Sequence, residues 1–211
     1  MIRLLKPRLD THTELCNTPL RKTLLSMRWD RGRSALAKSH SYRTVVTWTG
    51  NDGVGTLDYR SYRRDYLVRA ETKPDLLGSA DPVFQGDARR YNPEELLVAA
   101  LSSCHMLSYL HLCAVRGIIV EDYKDEAEGV MAESDDGSGR FTSVVLHPVV
   151  RISGGAPNVA RELHDDAHRM CFIANSVNFP VRHEATTTVA PPTPLGENDQ
   201  PTPERTRTKP T

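Results

Sequence analysis

The sequence predicts an α+β domain, and three observations lead there. An apolar run over residues 92–117 carries helix start and stop signals. Stretches rich in β-branched and aromatic residues lie on both sides of it. A second helical run, roughly 159–172, completes the order β-β-helix-β-β-helix-β. Strands and helices are not in strict alternation, so one sheet with two helices on one face fits better than a doubly wound parallel sheet.

Composition narrows the function classes. A chain of 211 residues suggests one domain with tails. Its 27 basic residues balance 27 acidic ones, which argues against a nucleic-acid or other polyanion partner. The run over 92–117 is interrupted by Ser102, Ser103, His105, Ser108 and His111, so it reads as a core helix and no membrane span is expected. There is no signal-peptide core, so a reducing cytoplasm is expected. There, active cysteines are catalytic, redox-active or metal-bound more often than structural.

Residues 1–40 hold nine Lys or Arg against three acids and no lasting period, and read as a disordered basic leader. Met27 is an alternative start within it. The ordered domain is expected over 41–185. A strand over 42–48 meets turn residues at 50–53, and 56–69 reads as the returning strand or strands. Residues 78–91 form a loop into the helix.

The helix start is well specified. Asn92 suits the N-cap, Pro93 the first turn, and Glu94 and Glu95 the positive end of the dipole. Gly117 is a stop. Leu97, Ala100, Leu101, Cys104, Ser108 and His111 share a face. Other faces are apolar too, which predicts burial all round, with a second copy of the chain as the cover. Residues 125–133 and 140–152 read as a hairpin, with Pro148 at an edge or bulge. The second helix turns Leu163, Ala167, Met170 and Cys171 inward, and 179–181 is a last short strand. From 186 to 211, eight Thr and six Pro fill 14 of 26 places, which predicts a disordered tail.

The chemistry centres on cysteine. Cys16, Cys104, Cys113 and Cys171 fit no zinc-finger spacing. A helical cysteine among apolar residues is more often inert core than reactive. Cys113 takes that reading, since nine residues place it half a turn round from Cys104. Cys104 and Cys171 lie on different helices and could meet, one attacking a substrate and the other closing a disulfide. Glu94 lies about 15 Å along the axis from Cys104, so it could act there only by orienting an arginine. His164, His168 and Cys171 have a spacing that can also bind a transition metal.

The run Asn92-Pro93-Glu94-Glu95-Leu96-Leu97, followed two residues on by Ala-Leu-Ser-Ser-Cys104, resembles the central-helix motif of the OsmC/Ohr family. These are the osmotically inducible and organic-hydroperoxide-resistance proteins. Met170-Cys171-Phe172-Ile173-Ala174-Asn175-Ser176-Val177 resembles the family's second-cysteine segment, and Asp81-Pro82-x-Phe84-x-Gly86-Asp87 also fits. The resemblance implies an antiparallel sheet packed on two helices, with a long buried central helix, in an intertwined homodimer with its active sites at the interface. It implies a thiol peroxidase without cofactor or metal, in which Cys104 attacks an organic hydroperoxide, Cys171 resolves the sulfenic acid, and an external dithiol, lipoyl-type or small, reduces the disulfide. Glu94 matches the glutamate that positions an arginine over the reactive cysteine. The family's arginine lies in the loop after the first strand, and residues 49–53 hold none. Arg64 is the first replacement, with Arg89 and Arg90 next.

Leu97, Leu101, Phe84 and Phe172 near the expected site favour alkyl or fatty-acid hydroperoxides over hydrogen peroxide. Alternative functions are a redox-sensing or ligand-binding protein of the same fold, a metal-binding module, and a scaffold with inert thiols.

Overall fold

The computed structural model describes residues 38–191. The Met27 start, the leader up to residue 37 and the tail from residue 192 lie outside the described residues. An antiparallel sheet opens the domain, with strands β1 (Val45–Trp48), β2 (Tyr66–Arg69) and β3 (Leu76–Gly78) in that order. Helix α1 (Pro93–Val115) follows. Then come β4 (Ile119–Asp125), β5 (Glu128–Glu133), β6 (Gly139–Leu146), β7 (Pro148–Gly154), α2 (Pro157–Met170), β8 (Val181–His183) and β9 (Thr186–Val189).

The expected single antiparallel sheet is replaced by three sheets. Strands β4-β7-β9 form the second and β5-β6-β8 the third, and the β6–β8 and β7–β9 pairs are parallel. The predicted hairpin is split because its strands break side by side, at Glu126–Ala127, His147 and Glu184–Ala185. Pro148 contributes to the break, since proline lacks an amide hydrogen and restricts the residue before it. It is the first residue of β7. Asp125 pins the break to the helix: its carboxylate accepts the His147 amide at 2.6 Å and the Ser102 hydroxyl at 2.5 Å.

Two further expectations are corrected. Of residues 56–69, only the last four are strand, and 49–65 is a loop. That loop is closed at its base by the Trp48 indole, which donates to the Arg63 carbonyl at 2.9 Å, and by the Arg63 amide donating to the Gly50 carbonyl at 2.9 Å. A Cβ on residue 50 would sit 1.8 Å from the Arg63 oxygen, so only glycine fits. The expected tail also starts too early, since Thr186–Val189 pairs with β7. Thr and Val suit a strand, and composition alone had counted the threonines as disorder.

α1 begins as its sequence predicts. Asn92 Oδ1 accepts the Glu95 amide at 2.7 Å, and Glu95 Oε2 accepts the Asn92 amide at 3.2 Å. Gly117 takes the left-handed conformation past its end (φ 69°). The all-round burial is not realised within one chain. Only Leu101, His105, Tyr109 and Cys113 are buried, an i, i+4 stripe facing α2 and the sheet. Leu107 and Val115, on other faces, are 63% and 66% exposed. By length and composition alone α1 is also long and apolar enough to cross a membrane, with a mean hydropathy of 1.5 over an 18-residue window, a test that a core helix with such a buried stripe also passes.

Two apolar clusters hold the domain. Tyr109, Ile118, Val150, Ile152, Leu163 and Ala167 form the larger, between both helices and the second sheet. Leu101, Val144 and Leu146 form the other.

Asn92→Ala removes the side-chain half of the cap. It should cost about 1 kcal/mol in urea denaturation, and an unchanged midpoint would show that the cap contributes nothing.

Candidate active site

The two helices bring Cys104 and Cys171 together. Cys104 is half-buried in the fourth turn of α1. Cys171 follows the last residue of α2, where the backbone turns extended (φ −68°, ψ 108°). The helix therefore ends one residue before the cysteine, and the thiol is not on an inner helical face as expected. Met170, expected inward, is 48% exposed. A short 3-10 turn, Ala174–Ser176, closes over Cys171.

Every polar group of Cys171 is engaged. Its amide donates to the His168 carbonyl at 3.2 Å, and its carbonyl accepts the Asn175 amide at 3.1 Å. Its sulfur accepts the Ala174 amide at 3.4 Å and lies close enough to the Cys104 thiol to be perturbed by it. Burial first, then that neighbouring thiol, push the Cys171 thiol up to about 11. Both cysteines are free thiols. Cys113 is buried beside Tyr109, and burial raises its thiol as well.

Glu94 and Arg64 stand at the other end of α1. Both line a cavity of about 240 Å³ with Trp48, Tyr62, Tyr66 and Phe84. Among the described residues, no ion pair joins them. Arg64 lies in the loop just before β2. Its guanidinium is held between the rings of Tyr59 and Tyr62, at 4.4 and 4.2 Å from their centroids. It also donates to the Tyr62 carbonyl at 2.6 Å and the Tyr59 carbonyl at 2.5 Å. Glu94 instead acts on Tyr66, whose hydroxyl is raised by burial first and by this carboxylate second. Arg89 is paired with Asp87 at 2.9 Å, and Arg90 lies 3.6 Å from the buried Asp65. Each candidate arginine is thus committed away from the cysteines of its own chain. Phe172, expected at the site, is 80% exposed. A larger groove of about 740 Å³ runs along α1 beside Val98, Ser102, Met106, Tyr123 and Phe141. Neither cavity has a cysteine in its wall.

His164 and His168 do not meet Cys171 at a metal. Among the described residues, no three ligating side chains come together closely enough to hold one. They pack instead against His105 and His183. Sequence reasoning missed this cluster. It draws on three elements, and helical spacing reveals only His164 and His168.

Comparison with known proteins agrees with this fold. Residues 86–186 match the family model described as OsmC-like protein. An OsmC-like protein of unknown function from Vibrio cholerae superposes with a TM-score of 0.64 at 34% identity, over 70% of this chain and 100% of that one. An organic hydroperoxide resistance protein OsmC from Legionella pneumophila gives a TM-score of 0.52 at 22% identity, over 72% and 100%. An organic hydroperoxide resistance protein from Elizabethkingia anophelis gives 0.52 at 18%, also over 72% and 100%. No curated protein matches the chain.

A thiol held near 11 exposes about 100-fold less thiolate at pH 8 than one at the ordinary value. Alkylation by iodoacetamide, mapped by peptide mass, should therefore be about 100-fold slower at Cys171 in the folded chain than in the unfolded one. Equal rates would contradict the buried setting of Cys171.

Proposed function

The chain belongs to the OsmC-like family, and on that premise we propose that it is a cysteine-based peroxidase for organic hydroperoxides. The observation that carries this reading is that Cys104 on α1 lies near enough to Cys171, at the end of α2, to perturb its thiol. The half-buried Cys104 is the attacking sulfur, and the clamped, buried Cys171 is the resolving one.

The Cys104 thiolate attacks the distal oxygen of the hydroperoxide. The O–O bond breaks, sulfur loses two electrons, and the alkoxide leaves and takes a proton to become the alcohol. Cys171 then attacks the sulfenic sulfur. An S–S bond forms, and water leaves with the Cys171 proton. A dithiol, lipoyl-type or small, reduces the disulfide by two exchanges. The short path between the thiols favours resolution over further oxidation of Cys104.

A cation beside Cys104 would lower its pKa and stabilise the departing oxygen. Arg64 and Glu94 are at the far end of α1 from their own cysteine, so a second copy of the chain would supply them. The exposed apolar faces of α1 and of β1–β3, with Leu107, Val115, Val46 and Leu77 uncovered, support a homodimer in which one protomer's Arg64 and Glu94 serve its partner's Cys104. The cavity around Arg64 is walled by aromatic rings, which favours organic peroxides over hydrogen peroxide. A reducing cytoplasm would keep the pair in its thiol form.

A second reading is a redox sensor of the same fold with little turnover. The hold of Tyr59 and Tyr62 on Arg64 favours it, because the guanidinium must be freed or re-aimed to serve a thiolate.

Peroxidase assays with cumene hydroperoxide and a lipoyl dithiol separate these readings. The wild type should turn over, Cys104→Ser should not, and Arg64→Ala should lose about 100-fold in kcat/KM. Hydrogen peroxide should be the poorer substrate. Equal, low turnover in the wild type and Cys104→Ser would remove the peroxidase reading and leave the sensor.

A further inference from the structure

A cluster of four histidines fills the seam between α1, α2 and β8, and the thiol chemistry does not use it. His105 comes from α1, His164 and His168 from α2, and His183 from β8. His105 and His164 are fully buried. His105 Nε2 stands 3.1 Å from His164 Nδ1, with the two rings nearly parallel. The His183 ring lies 5.4 Å from that of His105 and 5.7 Å from that of His168. On the other side His164 stacks on Tyr109 at 3.9 Å, with Cys113 and Tyr123 beyond. One carboxylate reaches the cluster: Asp165, itself exposed, lies 3.2 Å from His183 Nε2 at the outer rim.

The contact between His105 and His164 needs one ring to donate and the other to accept. It therefore fails once both rings are charged. The outward nitrogens, His105 Nδ1 and His164 Nε2, are buried without partners, as is His168 Nδ1. No counter-charge stands inside the seam to receive an added proton. Burial first, then the charges of neighbouring histidines, hold His105 down to about 4 and His164 to about 3, and His168 is lowered too.

The cysteines ride on the same two helices. Cys104 immediately precedes His105, and the carbonyl of His168 accepts the Cys171 amide. We propose that the histidine cluster is an acid-sensitive latch on the α1–α2 seam, whose protonation loosens α2 and releases Cys171 from Cys104. The latch would shut down resolution of the oxidised cysteine in acid, a consequence that rests on the peroxidase reading above. The latch itself does not.

The direction follows from linkage. Each lowered histidine binds its proton more weakly in the closed form than in the open one. Above the ordinary value of 6.5 this costs nothing. As pH falls from there toward 4, the open form takes up protons that the closed form refuses, and the closed form loses ground. At pH 5 one such group shifts the balance toward opening by about 30-fold.

The test labels the full-length chain with 4,4′-dithiodipyridine at pH 7.5 and pH 5.0 and maps modification at Cys171. Each rate is divided by that of the chain unfolded in denaturant at the same pH, which removes the intrinsic pH dependence of thiol and reagent. The latch predicts a rise of at least about tenfold at pH 5.0. His164→Gln keeps a hydrogen-bonding group that cannot take a proton, and it should make the rise at least about threefold smaller. His105→Gln makes the same comparison from the other helix, and His168→Gln, a lowered but less buried histidine, does so if the buried variants do not fold. A flat wild-type profile, or a full rise in every variant that folds, overturns the proposal. A clear rise in a protein without hydroperoxide turnover at pH 7.5 would sink the peroxidase reading and leave the latch standing. Normal turnover with a flat profile would do the reverse.

Discussion

The packing of α2 along α1 is the constraint on which everything functional here depends. Neither cysteine has a thiol partner on its own helix. They meet only because Ala160, Leu163, His164 and Ala167 of α2 pack against His105, Tyr109 and Cys113 of α1. Small residues at 160 and 167 let the backbones approach, and Leu163 and Tyr109 fill the seam. At the end of this contact α2 stops, the chain turns extended, and Cys171 is clamped against Cys104 through its amide, carbonyl and sulfur.

The seam is not a purely apolar one. It contains two fully buried imidazoles that satisfy each other once and leave two nitrogens bare. Such a pair costs stability relative to an apolar filling of the same shape, because unpaired polar groups lose their water. Its place at the joint that aligns the two thiols suits the proposed latch, which would report pH to the proposed redox pair. The remaining candidate machinery, Glu94 and the caged Arg64, lies at the far end of α1 beside aromatic rings. The molecule thus separates the two thiols from the charge that the proposed chemistry would need, and uncovered apolar surface lies on the helix beyond Cys104, at Leu107 and Val115.

What could be read from the sequence was what local chemistry decides. The start of α1 was legible because Asn92, Pro93 and Glu95 act within one turn, and its end because Gly117 adopts a conformation that other residues resist. The two cysteines were legible as candidates through the residues around them. Contacts between distant segments were not. The His105–His164 bond spans 59 residues, and no helical period announces it. The break across three strands depends on Asp125 reaching both His147 and Ser102, again between elements. β9 was hidden because threonine suits both a strand and a polar tail. Arg64 was found as a candidate, but its capture by Tyr59 and Tyr62 depends on the fold of the loop.

The central claim is that Cys104 and Cys171 act as one redox pair. Intact mass and peptide mapping of the reduced chain after one equivalent of an alkyl hydroperoxide test it most directly. The account predicts loss of two hydrogens and a peptide in which Cys104 is linked to Cys171. Oxygen accumulating on Cys104 while Cys171 stays a free thiol, or no change in mass, would contradict it.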